Sequence, residues 1–141
     1  MSYFQEYKTK LVTPQEAVKV VRSGDWVDYG QFVVQVIELD KALAGRKDEL
    51  YDVKVRAMTR AAGVPEIVKV DPTAEHFIYN NTHFSGIDRK LHDEGRCWFI
   101  PILYHEVPRY YREHCDLDVA MLPTDRSRAR VASPSSVLSN L

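Results

Sequence analysis

The sequence has few of the features that mark disulfide-rich, membrane-spanning or nucleic-acid-binding proteins. Its 2 cysteines, Cys97 and Cys115, form no CxxC pair, so we expect reduced thiols. No apolar run approaches the roughly 20 residues that span a bilayer, and no apolar segment follows Met1 as in a signal peptide. Nineteen basic residues balance 20 acidic ones, which gives no electrostatic reason to expect nucleic-acid or membrane binding. These absences predict a cytoplasmic protein with small-molecule or protein partners.

Motifs for nucleotide cofactors, metals and serine nucleophiles are also missing. The chain has no GxGxxG, no GxxxxGK[ST] and no GxSxG pattern. His105 and Glu106 are residue types that bind metals, but an HExxH pattern would need histidine at Arg109. We therefore expect no metal and no bound cofactor.

Instead, the sequence alternates short strands with helices. A chain of 141 residues is the size of one domain and buries roughly 68% of its unfolded surface. The predicted strands are residues 25–29, 53–58, 76–79, 98–103 and 117–122. The predicted helices are residues 13–24, 36–43, 65–70, 85–95 and 108–114. This rhythm predicts an α/β domain with an open, mostly parallel sheet and helices on both faces.

Local signals support two helices and one buried strand. Thr13 followed by Pro14 and Glu16 reads as a capping box with proline at the first helical position. Ser85 with Asp88 is a second capping signal. The apolar run at residues 98–103 predicts a central parallel strand buried on both faces.

The last part of the chain differs in composition. Residues 124–141 contain five serines and three arginines within five residues, with no aromatic residue and no glycine. We therefore expect an α/β domain over residues 1–123 and a polar tail without regular structure over residues 124–141.

Polar and aromatic residues follow the predicted strands, where ligands bind in open α/β sheets. The candidate substrate-binding residues are Gly30, Gln31, Thr59, His83, Phe84, His105 and Glu106. Each has a simpler alternative: Gly30 would only end a strand, Phe84 would pack against a helix start, and Glu106 would complement a helix N-terminus. No residue combination among them forms a complete catalytic apparatus.

Several segments resemble the acetyl-CoA hydrolase/transferase family. They are TPQEAVKVVRSGDWVDYGQF, LDKALAGRKDELYDVKVRAMT, FIYNNTHFSG with RKLHDEG, and IPILYHEVPRYYRE, in the family's order and spacing over residues 7–122. The resemblance implies transfer of coenzyme A, a substrate and not a cofactor, between short-chain acyl-CoA such as acetyl-, propionyl- or butyryl-CoA and a carboxylate. It implies a glutamate nucleophile that forms a glutamyl-CoA thioester, and an N-terminal domain that supplies part of the acyl pocket. No residue here matches that glutamate, so no catalytic residue is assigned.

The sequence departs from the family pattern at its end and at one helix. Members continue after Leu122 with Pro-x-Asp-x-x-Gly and a glycine-rich segment, whereas Pro123 and Asp125 here lead into arginines and serines. Members often have proline near the start of the helix after the first strand, where this chain has Val36 and Ile37. We expect a truncated chain, inactive alone, that associates with itself or with a C-terminal CoA-transferase half. The alternative is a non-catalytic interaction subunit that docks a separate chain carrying the catalytic half.

Overall fold

A six-stranded sheet organises the chain. The computed structural model describes residues 3–32, 36–124 and 128–132. The strands are β1 (Trp26–Gln31), β2 (Val53–Met58), β3 (Phe77–Asn81), β4 (Trp98–Phe99), β5 (Val119–Thr124) and β6 (Arg128–Ala132). Their spatial order is β4-β3-β2-β1-β5-β6. The first five pair in parallel and β6 pairs antiparallel with β5, which confirms the predicted open, mostly parallel α/β sheet.

The described residues form six α-helices beside the sheet. They are α1 (Tyr3–Lys10), α2 (Pro14–Ala17), α3 (Ile37–Ala44), α4 (Glu66–Val70), α5 (Gly86–Asp93) and α6 (Val107–Glu113). Short 3₁₀ turns occur at Val18–Val20, Lys47–Glu49 and Tyr104–Glu106. Helix α1 has no counterpart among the predicted elements.

The two predicted capping signals are present. The Ser85 side chain accepts a hydrogen bond from the Asp88 N–H, and the Asp88 carboxylate accepts one from the Ser85 N–H. Thr13 accepts from the Glu16 N–H at 3.2 Å. The helix predicted over residues 13–24 nevertheless ends earlier, since three β-branched valines follow Ala17 and disfavour the α-helical conformation.

Helices cover both faces of the sheet. Tyr29 and Asp28 are neighbours in β1 and so point to opposite faces. The Tyr29 hydroxyl donates to Asp40 of α3 at 3.2 Å, whereas Asp28 accepts from the Tyr111 hydroxyl of α6. We call these the α3 face and the α6 face.

The main hydrophobic core lies on the α3 face. Val27, Val55 and Tyr79 are register partners across β1, β2 and β3, and all three are fully buried. Leu39 and Leu43 of α3 pack into the same cluster. Burying each such side chain contributes about 1.5–3 kcal/mol, so this face holds the domain together.

The prediction of a central, doubly buried strand over residues 98–103 is wrong. Only Trp98–Phe99 forms a strand, and it lies at the sheet edge with both side chains largely exposed. The chain leaves the sheet beyond Phe99 after one further bond from the Ile100 N–H to Asn81 O, and the ring of Pro101 fixes its φ at about −65°, away from the value of about −120° typical of a parallel strand.

The prediction that residues 124–141 lack regular structure is wrong for Arg128–Ala132. This segment forms β6, with Ala120 opposite Ala132 and Thr124 opposite Arg128. Without it, the outer edge of β5 would carry unpaired backbone groups. Residues 125–127 and 133–141 lie outside the described part of the chain.

Candidate functional site

Thr59 and His83 meet at the carboxyl edge of the sheet, just beyond β2 and β3. The Thr59 Oγ1 lies 2.6 Å from His83 Nδ1 and 3.0 Å from the His83 carbonyl oxygen. The Thr59 N–H donates to the same carbonyl at 2.9 Å. The structure therefore brings these two predicted site residues into direct contact, with the His83 side chain exposed.

Thr59 adopts a backbone conformation that is rare for a β-branched residue. Its φ is 49°, in the left-handed region that β-branched side chains avoid. Such a conformation costs on the order of 1–3 kcal/mol and occurs often at functional sites. Here the bonds to His83 hold it in place.

A chain of hydrogen bonds between buried side chains holds the backbone of His83. Asn81 Oδ1 accepts from the His83 N–H at 2.9 Å, and its Nδ2 donates to the Tyr79 hydroxyl at 3.3 Å. The Tyr79 hydroxyl donates to Asp88 at 3.1 Å. Burial, reinforced by the Asp88 charge, raises the pKa of Tyr79 well above its ordinary value, so the hydroxyl keeps its proton. The chain links His83 to the capped start of α5.

A buried ion pair supports the loop that follows Thr59. Arg60 donates to Asp40 at 2.9 Å, and both side chains are almost completely buried. Asp40 also accepts from the backbone N–H groups of Glu66 and Ile67 at 2.9 and 3.3 Å. Burial raises the pKa of Asp40, although Arg60 and these N–H groups act to lower it. The pair joins α3, α4 and the loop.

Gly30 and Gln31 belong to β1 itself and do not form a loop after it. The β1–β2 register shifts between Asp28 and Gln31, which marks a bulge. Gly30 has φ 74° and donates its N–H to the Asp28 carboxylate, a conformation that glycine adopts without steric cost. Phe32 follows the bulge, and its N–H donates to Met58 O at 2.8 Å. Its ring centroid lies 6.4 Å from that of His83.

The other three predicted site residues have ring contacts of their own or are exposed. Phe84 packs against Phe99 and His92 at centroid distances of 5.0 and 5.2 Å, which is a packing role. His105 and Glu106 are exposed in the 3₁₀ turn before α6. Within the described residues, no hydrogen bond or ring contact joins either of them to Thr59 or His83. That these residues bind substrate remains a prediction.

The sequence reasoning missed a buried polar cluster on the α6 face. Arg56 is almost fully buried, and its guanidinium carbon lies 4.9 Å from the Tyr110 ring centroid and 4.1 Å from that of Tyr111. Arg56 also donates to Cys115 Sγ at 3.6 Å, and its register partner Asp28 accepts from the Tyr111 hydroxyl. Burial, with Asp28 nearby, raises the pKa of Tyr111. The cluster anchors α6 to the sheet.

The described residues include no group of three or more His, Cys, Asp or Glu side chains placed to hold a metal ion. Among the same residues, no helix is long and apolar enough to cross a bilayer. Cys97 and Cys115 are both free thiols. Burial raises the pKa of Cys97 to about 12 and also raises that of Cys115, so neither thiol is activated as a nucleophile.

The chain is a mostly parallel α/β domain with polar residues at the carboxyl edge of its sheet, the edge at which ligands bind in domains of this architecture. The family model for the N-terminal domain of acetyl-CoA hydrolase/transferase matches residues 1–129. The chain therefore belongs to the acetyl-CoA hydrolase/transferase family, as its sequence motifs indicate.

Curated relatives agree with that assignment, and a solved structure shares the fold. The chain is 46% identical over 123 residues to the butyryl-CoA:acetate CoA-transferase of Anaerostipes caccae. The matched region covers 86% of this chain and 27% of that protein. It is 45% identical over 111 residues to a probable butyrate:acetyl-CoA coenzyme A-transferase of Syntrophomonas wolfei, covering 79% and 24%. The crystal structure of RipA from Yersinia pestis shares the fold with TM-score 0.71 at 24% identity, over 85% of this chain and 30% of RipA. The chain thus spans about a quarter of the length of these curated relatives.

Proposed function

We propose that this chain is the N-terminal part of an acyl-CoA:carboxylate CoA-transferase for short-chain acyl-CoA such as acetyl-, propionyl- or butyryl-CoA. The observation that carries the proposal is the Thr59–His83 pair at the carboxyl edge of a domain of this family. Two relatives of about 45% identity are named for butyrate or butyryl-CoA and acetate, which supports small, mostly apolar acyl groups.

In this function the chain binds and orients substrate and does not supply the nucleophile. His83 offers a ring nitrogen to a carboxyl group, and Phe32 offers apolar surface beside it. We infer that covalent transfer through a glutamate requires the part of the family's length that this chain does not span, since the chain covers about a quarter of its curated relatives. The chain by itself should therefore lack activity.

The α6 face supports docking of that remaining part. On the α3 face, helices α3, α4 and α5 pack on the sheet, whereas on the other face α6 packs over the Asp28–Arg56 cluster. Trp98 and Leu122 point to this face by register and are 41% and 43% exposed. Leu103 and Tyr104, at the 3₁₀ turn that precedes α6, are also exposed. Exposed apolar surface of this kind is typical of interaction sites. The same surface would bind the catalytic part if that part were a separate chain.

The docking proposal is tested by light scattering on the chain alone. Trp98→Gln combined with Leu122→Gln should reduce concentration-dependent association, because it removes the exposed apolar surface of the α6 face. The control combines Tyr51→Gln with Val70→Gln, which are exposed elsewhere, and should leave association unchanged. Equal association of both variants and the parent chain would contradict the proposed surface.

The substrate-site proposal is tested in a fusion. Residues 1–123 would replace the matched region of the Anaerostipes caccae relative, and butyryl-CoA formation from acetyl-CoA and butyrate would be measured. His83→Gln should lower kcat/KM at least tenfold, about 1.4 kcal/mol, while His114→Gln, an exposed histidine after α6, should not change it. Wild-type activity of the His83→Gln fusion would remove His83 from the site.

A further inference from the structure

Two short contacts between Thr59 and His83 determine where the histidine proton lies. Thr59 Oγ1 is 3.0 Å from the His83 carbonyl oxygen, which carries no hydrogen, so the hydroxyl proton must be donated there. The hydroxyl has only that one proton. The second contact, at 2.6 Å to His83 Nδ1, then requires a proton on Nδ1, with Oγ1 as the acceptor.

We propose that Thr59 is a positioning residue that holds neutral His83 in its Nδ1–H tautomer and leaves Nε2 as the hydrogen-bond acceptor at the carboxyl edge. The inference rests on the proposed function only for the identity of the group that meets Nε2. The tautomer itself follows from the hydrogen-bond donors and acceptors of the two residues.

The backbone fixes this arrangement. The Thr59 N–H donates to the His83 carbonyl at 2.9 Å and approaches Asn81 Oδ1 at 3.4 Å. The same Asn81 Oδ1 accepts from the His83 N–H at 2.9 Å. Because these bonds hold Thr59 at φ 49°, its hydroxyl stays within hydrogen-bond distance of Nδ1. The left-handed conformation of Thr59 therefore places its hydroxyl 2.6 Å from His83 Nδ1.

The chemistry at Nε2 suits a carboxylic acid. In neutral His83, Nε2 accepts a hydrogen bond, and within the described residues it has no hydrogen-bond partner. A carboxylic acid supplies a donor through its hydroxyl group, so its O–H can donate to Nε2. If that acid proton moves to Nε2, the Nε2–H donates back to the resulting carboxylate. The bond from Nδ1–H to Thr59 is the same in both cases, so Thr59 would orient Nε2 toward the carboxyl group.

Two other histidines serve as internal controls. His76 Nδ1 lies 2.8 Å from Leu50 O, and His92 Nδ1 lies 2.8 Å from Cys97 O. Both face backbone carbonyls and so must also carry Nδ1–H. No substitution at Thr59 removes either carbonyl, so both should keep their tautomer in every variant.

The test is the ¹⁵N chemical shifts of the histidine ring nitrogens in the labelled chain, recorded about 1.5 pH units above the ordinary histidine pKa of about 6.5. We expect Nδ1–H for His83 in the parent chain, loss of that tautomer in Thr59→Val, and its retention in Thr59→Ser. His76 and His92 should report Nδ1–H throughout. If the Thr59→Val variant unfolds, the shifts of His76 and His92 will change as well. The spectra of the parent chain and of Thr59→Ser then test the proposed tautomer.

An Nε2–H tautomer for His83 in the parent chain would overturn the proposal, as would an unchanged His83 tautomer in a folded Thr59→Val variant. Adding butyrate to the parent chain at about pH 6, near the ordinary histidine pKa of about 6.5 so that a proton is available to the pair, separates this result from the proposed function. A butyrate-dependent shift confined to the His83 ring supports carboxylate binding. An unchanged spectrum with the Nδ1–H tautomer present contradicts the substrate assignment and leaves the positioning role of Thr59 supported.

Discussion

Replacing Asp40 by alanine should be one of the most destabilising single changes in this domain. Asp40 is fully buried and accepts from Arg60, from the Tyr29 hydroxyl and from the N–H groups of Glu66 and Ile67, at 2.9–3.3 Å. The alanine variant leaves the Arg60 guanidinium buried without its counter-ion. Removing one partner of a buried pair costs about 3–5 kcal/mol, a large share of the 5–15 kcal/mol by which domains are stable.

Urea denaturation followed by tryptophan fluorescence measures this loss. The matched control is Glu38→Ala, two residues earlier in α3, where an exposed pair with Lys41 at 3.0 Å should contribute only about 0.5 kcal/mol. The double variant Asp40→Leu with Arg60→Met removes both charges and should be more stable than Asp40→Ala. A cost below about 1 kcal/mol for Asp40→Ala would refute the reasoning.

Three further predictions concern the cap, the acid limb and the thiols. Ser85→Ala should cost about 0.5–2 kcal/mol in the same assay, because it removes one side of the capping box; an unchanged midpoint would refute this. Burial acts to raise the pKa of Asp71, but the N–H groups of Phe77 and His76 outweigh it and lower that pKa. The stability that this carboxylate adds is present above the ordinary pKa of about 3.9 and lost as pH falls through the lower folded-state pKa. Asp71→Asn should therefore flatten the acid side of the stability–pH curve, and an unchanged slope there would count against it. Cys97, 1% exposed with a pKa of about 12, should react with a thiol reagent at about pH 8 more slowly than half-buried Cys115; the reverse order would contradict its burial.

The sequence was sufficient for the order of the strands along the chain and for placing Thr59 and His83 at the carboxyl edge of the sheet. Alternation and caps are local signals, and parallel pairing follows from the helical crossovers. Thr59 and His83 follow neighbouring strands, so their contact was predictable from topology. The bond geometry was not, because it depends on the left-handed φ of Thr59, which has no sequence signature in a threonine.

The main errors arise where tertiary contacts decide the outcome. The apolar run at residues 98–103 looks like a buried strand, but its position at the sheet edge depends on which strand it pairs with. Asp28 and Arg56 occupy the polar positions of alternating strands and so look solvated. They are buried because α6 packs over them with Tyr110 and Tyr111. Neither fact is encoded within a few residues of the positions concerned.

Assaying butyryl-CoA formation from acetyl-CoA and butyrate tests the central claim most directly, with the chain alone compared with the fusion of residues 1–123 to the remaining part of the Anaerostipes caccae relative. The account predicts no product above the uncatalysed background from the chain alone and measurable turnover from the fusion. Turnover by the chain alone would contradict the account, as would a folded fusion that forms no butyryl-CoA.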